Sequence, residues 1–509
     1  MKMKIVKTLI GSIAALGAMV SCDLSEYPYG FYSDENFYNT PEDAESAIMY
    51  AYNALTNLEY SRGIFYIGEA ASETVALKSG EDANNPGAQA LDEWNITDNA
   101  NNQTLQVYFK YCYVAINRAN AVIKNVEGSN LDEALKTRLL GEAYFLRAYS
   151  HFSLVKVFGL VPLQREMVET VANTSPSMAK TMDEAYEMMI GDLKIAEANL
   201  QYTNKVGRAN KAAAQGMLAK LYLTAASSKE SGVRYYSDMS MSVEEMYAEA
   251  ASWAKKVLDA STSGEAPFGL APTLAEIYDV DKPDGCEHLF IMSMDRSGQN
   301  EGNYSKIGML FMPYNNGSNF YVKIGEDNLV ASHYGYEVFP TTTDFYNSFD
   351  PADKRKTELM GNKLFDVNGD ELGTSAYPYT NKYIDPHQVS ESTGDKSSVK
   401  PFLLRFSDVA LIYAEAMGSD EGGWVARIRA RAGLAPLDAG LNKEQFRNAV
   451  VDERAWELAF EGNRLYDLRR KAMVTKTDPN AQAAGITEAD AAFYPIPQRE
   501  IDLNPGLYN

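Results

Sequence analysis

Residues 143–158, AYFLRAYSHFSLVKVF, are apolar on nearly every side when wound as a helix. A helix without a polar face has to be packed by neighbours on more than one side, so the chain around it must build layers of helices. The flanking sequence supplies them. Residues 41–58 open after Thr40, a suitable N-cap, with Glu42 and Asp43 in the first turn. Ala44, Ala47, Ile48, Ala51 and Leu55 then recur at three- and four-residue steps. The same reading predicts helices over 105–126, 132–158, 182–199, 211–226 and 243–260, and two more over 406–417 and 443–471. Eight helices joined by short connections suggest four helical hairpins of the tetratricopeptide sort, without a strict period. Gly207, Gly264 and Gly433 fall where chain breaks are expected.

The stretch from about 279 to 401 reads differently. It is rich in Gly, Asn, Ser and Tyr, with a short candidate strand at 288–293 and a hairpin turn at Asn368-Gly369. Its aromatic content argues against disorder, so it reads as a loop-rich excursion carried on the helical scaffold. At 45% hydrophobic, the 509-residue chain can bury a sizeable core. Two cysteines beyond the leader, Cys112 and Cys286, lie far apart. Cys112 sits in a helical run and reads as a buried thiol, and a disulfide between the two is left open. The four histidines show no His-x-x-x-His pair, and there is no Cys-x-x-Cys, so no zinc site is expected.

The first 22 residues have the layout of an export signal. Lys2, Lys4 and Lys7 precede an apolar stretch over 8–20 that is too short to span a bilayer. Met19-Val20-Ser21-Cys22 resembles the lipobox of bacterial lipoproteins, with Met19 where leucine is commoner. The resemblance implies cleavage after residue 21 and lipid chains on Cys22, which would tether the protein to outer-membrane lipid. Without the three leader lysines, 44 basic residues face 69 acidic ones, a net charge of −25. That field repels nucleic acid and anionic headgroups, so neither is an expected partner.

Several stretches, in order, carry a family resemblance. They are 141–163 (GEAYFLRAYSHFSLVKVFGLVPL), 207–223 (GRANKAAAQGMLAKLYL) and 404–415 (LRFSDVALIYAE). The strongest are 427–434 (RIRARAGL), 452–470 (DERAWELAFEGNRLYDLRR) and 494–509 (YPIPQREIDLNPGLYN). Following a lipobox, they resemble the SusD/RagB outer-membrane lipoproteins of Bacteroidetes. Two departures are a short link over 418–424 and an end, Pro505-Gly506-Leu507-Tyr508, that varies on the family's pattern. The resemblance implies an all-α dominated, SusD-like fold with four tetratricopeptide-like pairs and minor β structure. That fold would occupy 22–509 as one domain, with its scaffold over about 36–260 and 402–472. It also implies a lipid-anchored, cell-surface position, binding of an oligosaccharide or polysaccharide, and association with a SusC-like TonB-dependent transporter. Known members catalyse nothing. A helical-repeat adaptor that supports the transporter without touching glycan is the alternative reading.

The remaining constellations are weighed on chemistry. Glu453, Glu457 and Glu461 lie at four-residue spacing and could be read as glycosidase carboxylates. Arg454 and Arg464 stand three residues from two of them, which favours ion pairs and holds carboxylates ionised, wrong for a general acid. The runs Asp279-x-Asp281 and Asp366-x-Asn368-Gly369-Asp370 read as turns; no cofactor is expected, and only a surface calcium ion is left open. Tyrosine, at 33 residues, outnumbers phenylalanine and tryptophan (20 and 4), and its apolar face with a hydrogen-bonding tip suits sugars. Trp94, in a polar stretch with Asn95 and Asn99, is the leading candidate for a stacking platform. Lys78 lies upstream as a donor, and Tyr304, Tyr314, Tyr321, Tyr334 and Tyr336 are candidates for a second wall. Trp253, Trp424 and Trp456 read as scaffold.

Overall fold

The computed structural model describes residues 38, 40–77, 86–95, 99–170, 173–297, 304–314, 320–324, 328–331, 335–387, 396–504 and 507. The leader with Cys22 lies outside them, as do Lys78 and Tyr334. Eight helices build the first half: α1 (Pro41–Asn53), α2 (Leu58–Gly68), α3 (Pro86–Asp92), α4 (Gln103–Glu127), α5 (Glu133–Phe158), α6 (Met182–Asn199), α7 (Lys211–Glu230) and α8 (Val243–Ser263). Consecutive helices from α4 to α8 pack on one another, and the row continues into α9 (Phe406–Met417), which packs against α8 and α7. The row is closed by α10 (Trp424–Arg431), α11 (Lys443–Glu457) and α12 (Arg464–Arg470). The protein is helix-dominated with little sheet, as the sequence patterning predicts.

Local chemistry explains the starts and stops. Thr40 and Asp43 form a reciprocal capping box on α1, as do Ser242 and Glu245 on α8 and Asn442 and Gln445 on α11. Gly264 and Gly418 end α8 and α9 in left-handed backbone. Helix α5 is buried along its whole second half, from Gly141 to Phe158, between α4 and α6. Its buried Glu142 and Arg147 are answered by partners, whereas the Ser150 and Ser153 hydroxyls have none among the described residues. Arg147 grips Asp192 of α6 through two bonds of 2.7 Å. Glu142 receives the Tyr52 hydroxyl at 2.8 Å and Arg208 at 2.5 and 2.8 Å. His151 lies fully buried beside the Arg147 carbonyl, and burial pushes its imidazole down to about 3, so it stays neutral.

Two predicted boundaries are revised. The residues after Asn53 do not prolong α1: a turn at 54–57 leads into α2. The segment 443–471 is not one helix but α11 and α12, separated by a turn in which Phe460 and Gly462 have φ of 64° and 72°. Gly462 is pressed against Gly68 of α2, where a Cβ on either partner has no room. The carbonyls freed by the break accept from elsewhere. Lys382 Nζ donates to those of Glu457 and Ala459 at 3.1 and 3.0 Å, and the Tyr383 hydroxyl donates to that of Phe460 at 2.6 Å.

The middle of the chain forms two small antiparallel sheets. β1 (His288–Ile291) pairs with β6 (Phe402–Arg405), and β3 (Asn328–Ala331), β2 (Tyr321–Ile324), β4 (Met360–Phe365) and β5 (Glu371–Thr380) lie in that order. The β4–β5 hairpin turns at Asn368-Gly369 as expected, with Gly369 at φ 86° and the Asp366 carboxylate accepting from the Asn368 and Asp370 amides at 2.8 Å. An isolated bridge, Val75 to Thr341, ties this region to the segment after α2. Cys112 is buried and Cys286 half-buried; both are free thiols. Among the described residues no helix is long and apolar enough to cross a membrane, and no cluster of three metal-ligating side chains occurs.

A buried ionic lattice fastens the C-terminal helices to the middle segment. Arg405 bridges Glu287 (2.9 Å), Glu457 (2.8 Å) and Glu461 (2.8 Å). Arg355 joins Asp353 (2.7 Å) and Glu453 (2.6 Å), and Arg454 joins Asp408 (2.7 Å) and Asp467 (2.9 Å). Ion pairing of the three glutamates is thus confirmed, but it is internal rather than on a helix surface. Arg464 reaches Glu73 instead of Glu461. Burial alone would raise the Glu457 carboxyl, yet the guanidiniums of Arg431, Arg405 and Arg355 hold it well below the usual range. None of the three glutamates meets solvent, so they form no acid–base pair for a substrate.

Candidate functional site

Trp94 is placed far from its expected role. It follows α3 at φ 51°, in the turn that ends that helix, with its amide donating to the Leu91 carbonyl at 3.2 Å. The turn directs the indole inward. Only 2% of the residue is exposed, the ring lies 6.1 Å from that of Tyr494, and Nε1 donates to the Asp478 carboxylate at 2.5 Å. The exposed stacking face expected here is absent because the indole closes the core, while Glu93 and Asn95 on either side of it stay exposed. Asp92, at the end of α3, is buried near Asp478 and accepts from the Leu77 amide at 3.2 Å. Burial, reinforced by the neighbouring Asp478 charge, pushes its carboxyl up to about 8.

The other candidates separate. Asn95 is exposed beside Trp94, and Asn99 begins a short 3-10 helix that leads into α4. Tyr304 is buried, with the ammonium of Lys396 4.9 Å from its ring. Tyr321 is half-buried on β2, and Tyr314 is 52% exposed. Tyr336, 43% exposed, lines a concave site.

That site is a cleft of about 410 Å³ between α2, the start of α4 and the irregular segment around 336–338. Arg62 and Tyr66, one turn apart on α2, form one wall, and Gln103 and Val107 of α4 form a second by the same spacing. Lys306 and Leu310 close the floor, and Tyr336 and Val338 form the third wall. The backbone of that wall is fixed: the Tyr336 amide donates to the Met309 carbonyl at 2.9 Å and that of Phe339 to Leu310 at 2.8 Å. Gly335 lets it approach, since a Cβ there would strike the Pro313 carbonyl. Phe339 turns inward against the Tyr66 ring at 5.2 Å, while Tyr336 and Val338, on either side of Glu337 in left-handed backbone at φ 48°, line the cleft. The wall thus offers an aromatic face, two cationic donors, an amide and the Thr104 hydroxyl. That set has the stacking face and hydrogen-bonding groups that a polyhydroxylated ligand requires.

A second cleft of about 380 Å³ lies across residues 342–348 and is lined by Trp456, Phe345, Glu73, Asp452 and Arg464. Trp456 is not core, as the helical spacing suggests, but half-buried, donating to the Ser348 hydroxyl at 3.1 Å. Trp253 and Trp424 are buried scaffold as expected. The residues of the Tyr336 cleft that sequence reading missed, Arg62 and Tyr66, sit on α2. Their four-residue spacing would have exposed a shared face had that helix been recognised.

Comparisons with known proteins agree with this architecture. Residues 314–509 match the profile described as the SusD family, and residues 33–223 match that described as starch-binding associating with outer membrane. A SusD-like protein of Formosa agariphila is 27% identical over 506 residues, spanning 91% of this chain and 90% of the relative. A solved structure described as a laminarin binding SusD-like protein superposes with a TM-score of 0.74 at 22% identity, covering 92% of this chain and 98% of its own. The surface glycan-binding protein A of Bacteroides uniformis gives a TM-score of 0.72 at 20% identity, covering 92% and 99%. The fold is that of SusD-like proteins. The chain belongs to the SusD/RagB family.

Proposed function

We propose that this chain is a cell-surface lipoprotein that captures an oligosaccharide or polysaccharide in the Tyr336 cleft and hands it to a TonB-dependent outer-membrane transporter. The observation that carries the reading is the cleft itself, where an exposed Tyr336 ring stands opposite the Arg62, Gln103 and Lys306 donors. A pyranose needs one such face for its axial C–H groups and such donors around its edge. Family membership supports it, as do the laminarin-binding and glycan-binding descriptions of similar structures. The lipobox at Cys22 supports the anchored position, and the net charge of −25 argues against a nucleic-acid ligand.

The test is a glycan array with the purified mature protein, followed by calorimetry on the best ligand. Tyr336→Ala should weaken binding by about thirtyfold, the loss of a well-packed aromatic contact of about 2 kcal/mol. Its melting temperature should stay within about a degree, because the ring supports no core contact. Unchanged affinity would remove this cleft from the site. A protein that binds no glycan yet co-purifies with the transporter would be the adaptor.

A further inference from the structure

A third concavity has a different character. It is a cleft of about 410 Å³ walled by β2, β4 and the helices Thr343–Ser348 and Lys354–Leu359. Lys323, Lys356 and Lys363 line it against one carboxylate, Glu358, in a chain whose net charge is strongly negative. Lys363 is committed to Glu371 at 2.6 Å. The other two ammoniums are held over aromatic faces, Lys323 over Phe365 at 4.3 Å and Lys356 over Tyr346 at 4.4 Å. Among the described residues neither lies within 4.0 Å of a carboxylate.

Asn381 forms part of the same wall and is 93% buried, with 7% of its surface exposed. Its Nδ2 donates to the Lys323 carbonyl at 2.9 Å, which fixes the orientation of the amide. Its Oδ1 accepts no hydrogen bond. A buried acceptor without a donor is costly and calls for one from outside.

We infer that this cleft binds an acidic sugar residue, its carboxylate or sulfate ester meeting Lys323 and Lys356 and a ring hydroxyl donating to Asn381 Oδ1. The Phe365 and Tyr346 rings supply the apolar surface that a sugar's C–H face covers. Ammonium contacts to such an anion are charge-assisted and fall with ionic strength, whereas the hydroxyl contact is not screened. This assignment rests on the glycan-binding reading above and extends it from neutral to charged glycans at a separate subsite.

Calorimetry on the mature protein tests it with four probes: oligogalacturonate, a sulfated galactan oligosaccharide, and neutral laminari- and malto-oligosaccharides. At least one acidic probe should bind, and the relative affinity of the two identifies the anionic group. The double variant Lys323→Gln/Lys356→Gln should weaken that binding by about tenfold or more and remove most of its salt dependence. Asn381→Ala should weaken it with the salt dependence retained. Melting curves of each variant check the fold. Equal acidic-probe affinity in wild type and double variant would overturn the inference, as would binding of neutral probes alone. Failure of every probe would overturn the glycan-binding reading with it.

Discussion

Trp94→Ala should unfold this protein more readily rather than blind its binding site. The indole is 2% exposed, stacks near Tyr494 and donates to a buried Asp478 carboxylate. Removing a buried indole costs about 3–5 kcal/mol in lost transfer energy and cavity. Stranding the Asp478 acceptor adds about 1–3 kcal/mol. The unfolding entropy of a chain this long is about 1 kcal/mol per kelvin, so the melting temperature should drop by about 4–8 K. Trp94→Phe keeps an aromatic ring but loses the pyrrole half with its donor, so its drop should be the smaller part of that. Burial already raises the Asp478 carboxyl while the indole opposes the rise. Without the indole the group is driven further up, and its ionisation costs more in the folded state. The Phe variant should therefore lose more stability at pH 8 than at pH 5. Scanning calorimetry of both variants, paired with ligand titration, decides the matter. A Trp94→Ala protein with unchanged melting and abolished glycan binding would refute the packing argument and return Trp94 to the site.

Asp92 makes stability pH-dependent: its folded value, pushed up to about 8 by burial, exceeds the unfolded value, so the native state binds the proton more tightly. Stability from this group is present at low pH and is lost as pH rises from about 4 towards 8, by up to about 1.4 kcal/mol per unit. Asp92→Asn should flatten that limb in a melting series, and an unchanged slope would discount the group. Arg405→Met should cost about 3–5 kcal/mol in chemical denaturation, since it leaves Glu287, Glu457 and Glu461 short of their shared cation; a neutral outcome would mean that Arg431, Arg355 and Lys382 suffice. Cys22→Ala should release the protein from washed membranes into the soluble fraction, and retention would dismiss lipid anchoring through that residue.

The scaffold was legible because its signals are local. Helices α4 to α8 carry side-chain N-caps that any reader can place, and α6 and α9 fall where spacing puts them. The breaks that were misplaced depend on distant partners. The segment 443–471 has an uninterrupted helical pattern, and Gly462 alone hints at a turn. The turn exists because Gly68 comes into contact with it and because Lys382 and Tyr383, from the middle segment, take up the freed carbonyls. The glutamates of that segment show the same limit. Spacing rightly marks them for ion pairs, but the cations that hold them, Arg355, Arg405 and Arg431, lie on other elements.

Local composition also misdirects at the site, for one physical reason. Polar neighbours in sequence say where the backbone runs, not where a side chain points. Trp94 sits among Asp92, Glu93, Asn95 and Asn99, and its left-handed backbone turns the indole inward. Trp456 sits on a helix, where packing into the core is expected, yet its indole is half-buried in a cleft. Exchanging these two expectations leaves the aromatic face to Tyr336, which lines a cleft while Phe339 packs inward against Tyr66. A residue's direction here is set by the backbone on either side of it. Two of the three clefts are formed by segments that meet in space from more than two hundred residues apart, such as Arg62 with Lys306 and Glu73 with Arg464. The third lies wholly within residues 323–381. The helical row brings the first two together, and the middle segment alone supplies the rings and ammoniums of the third.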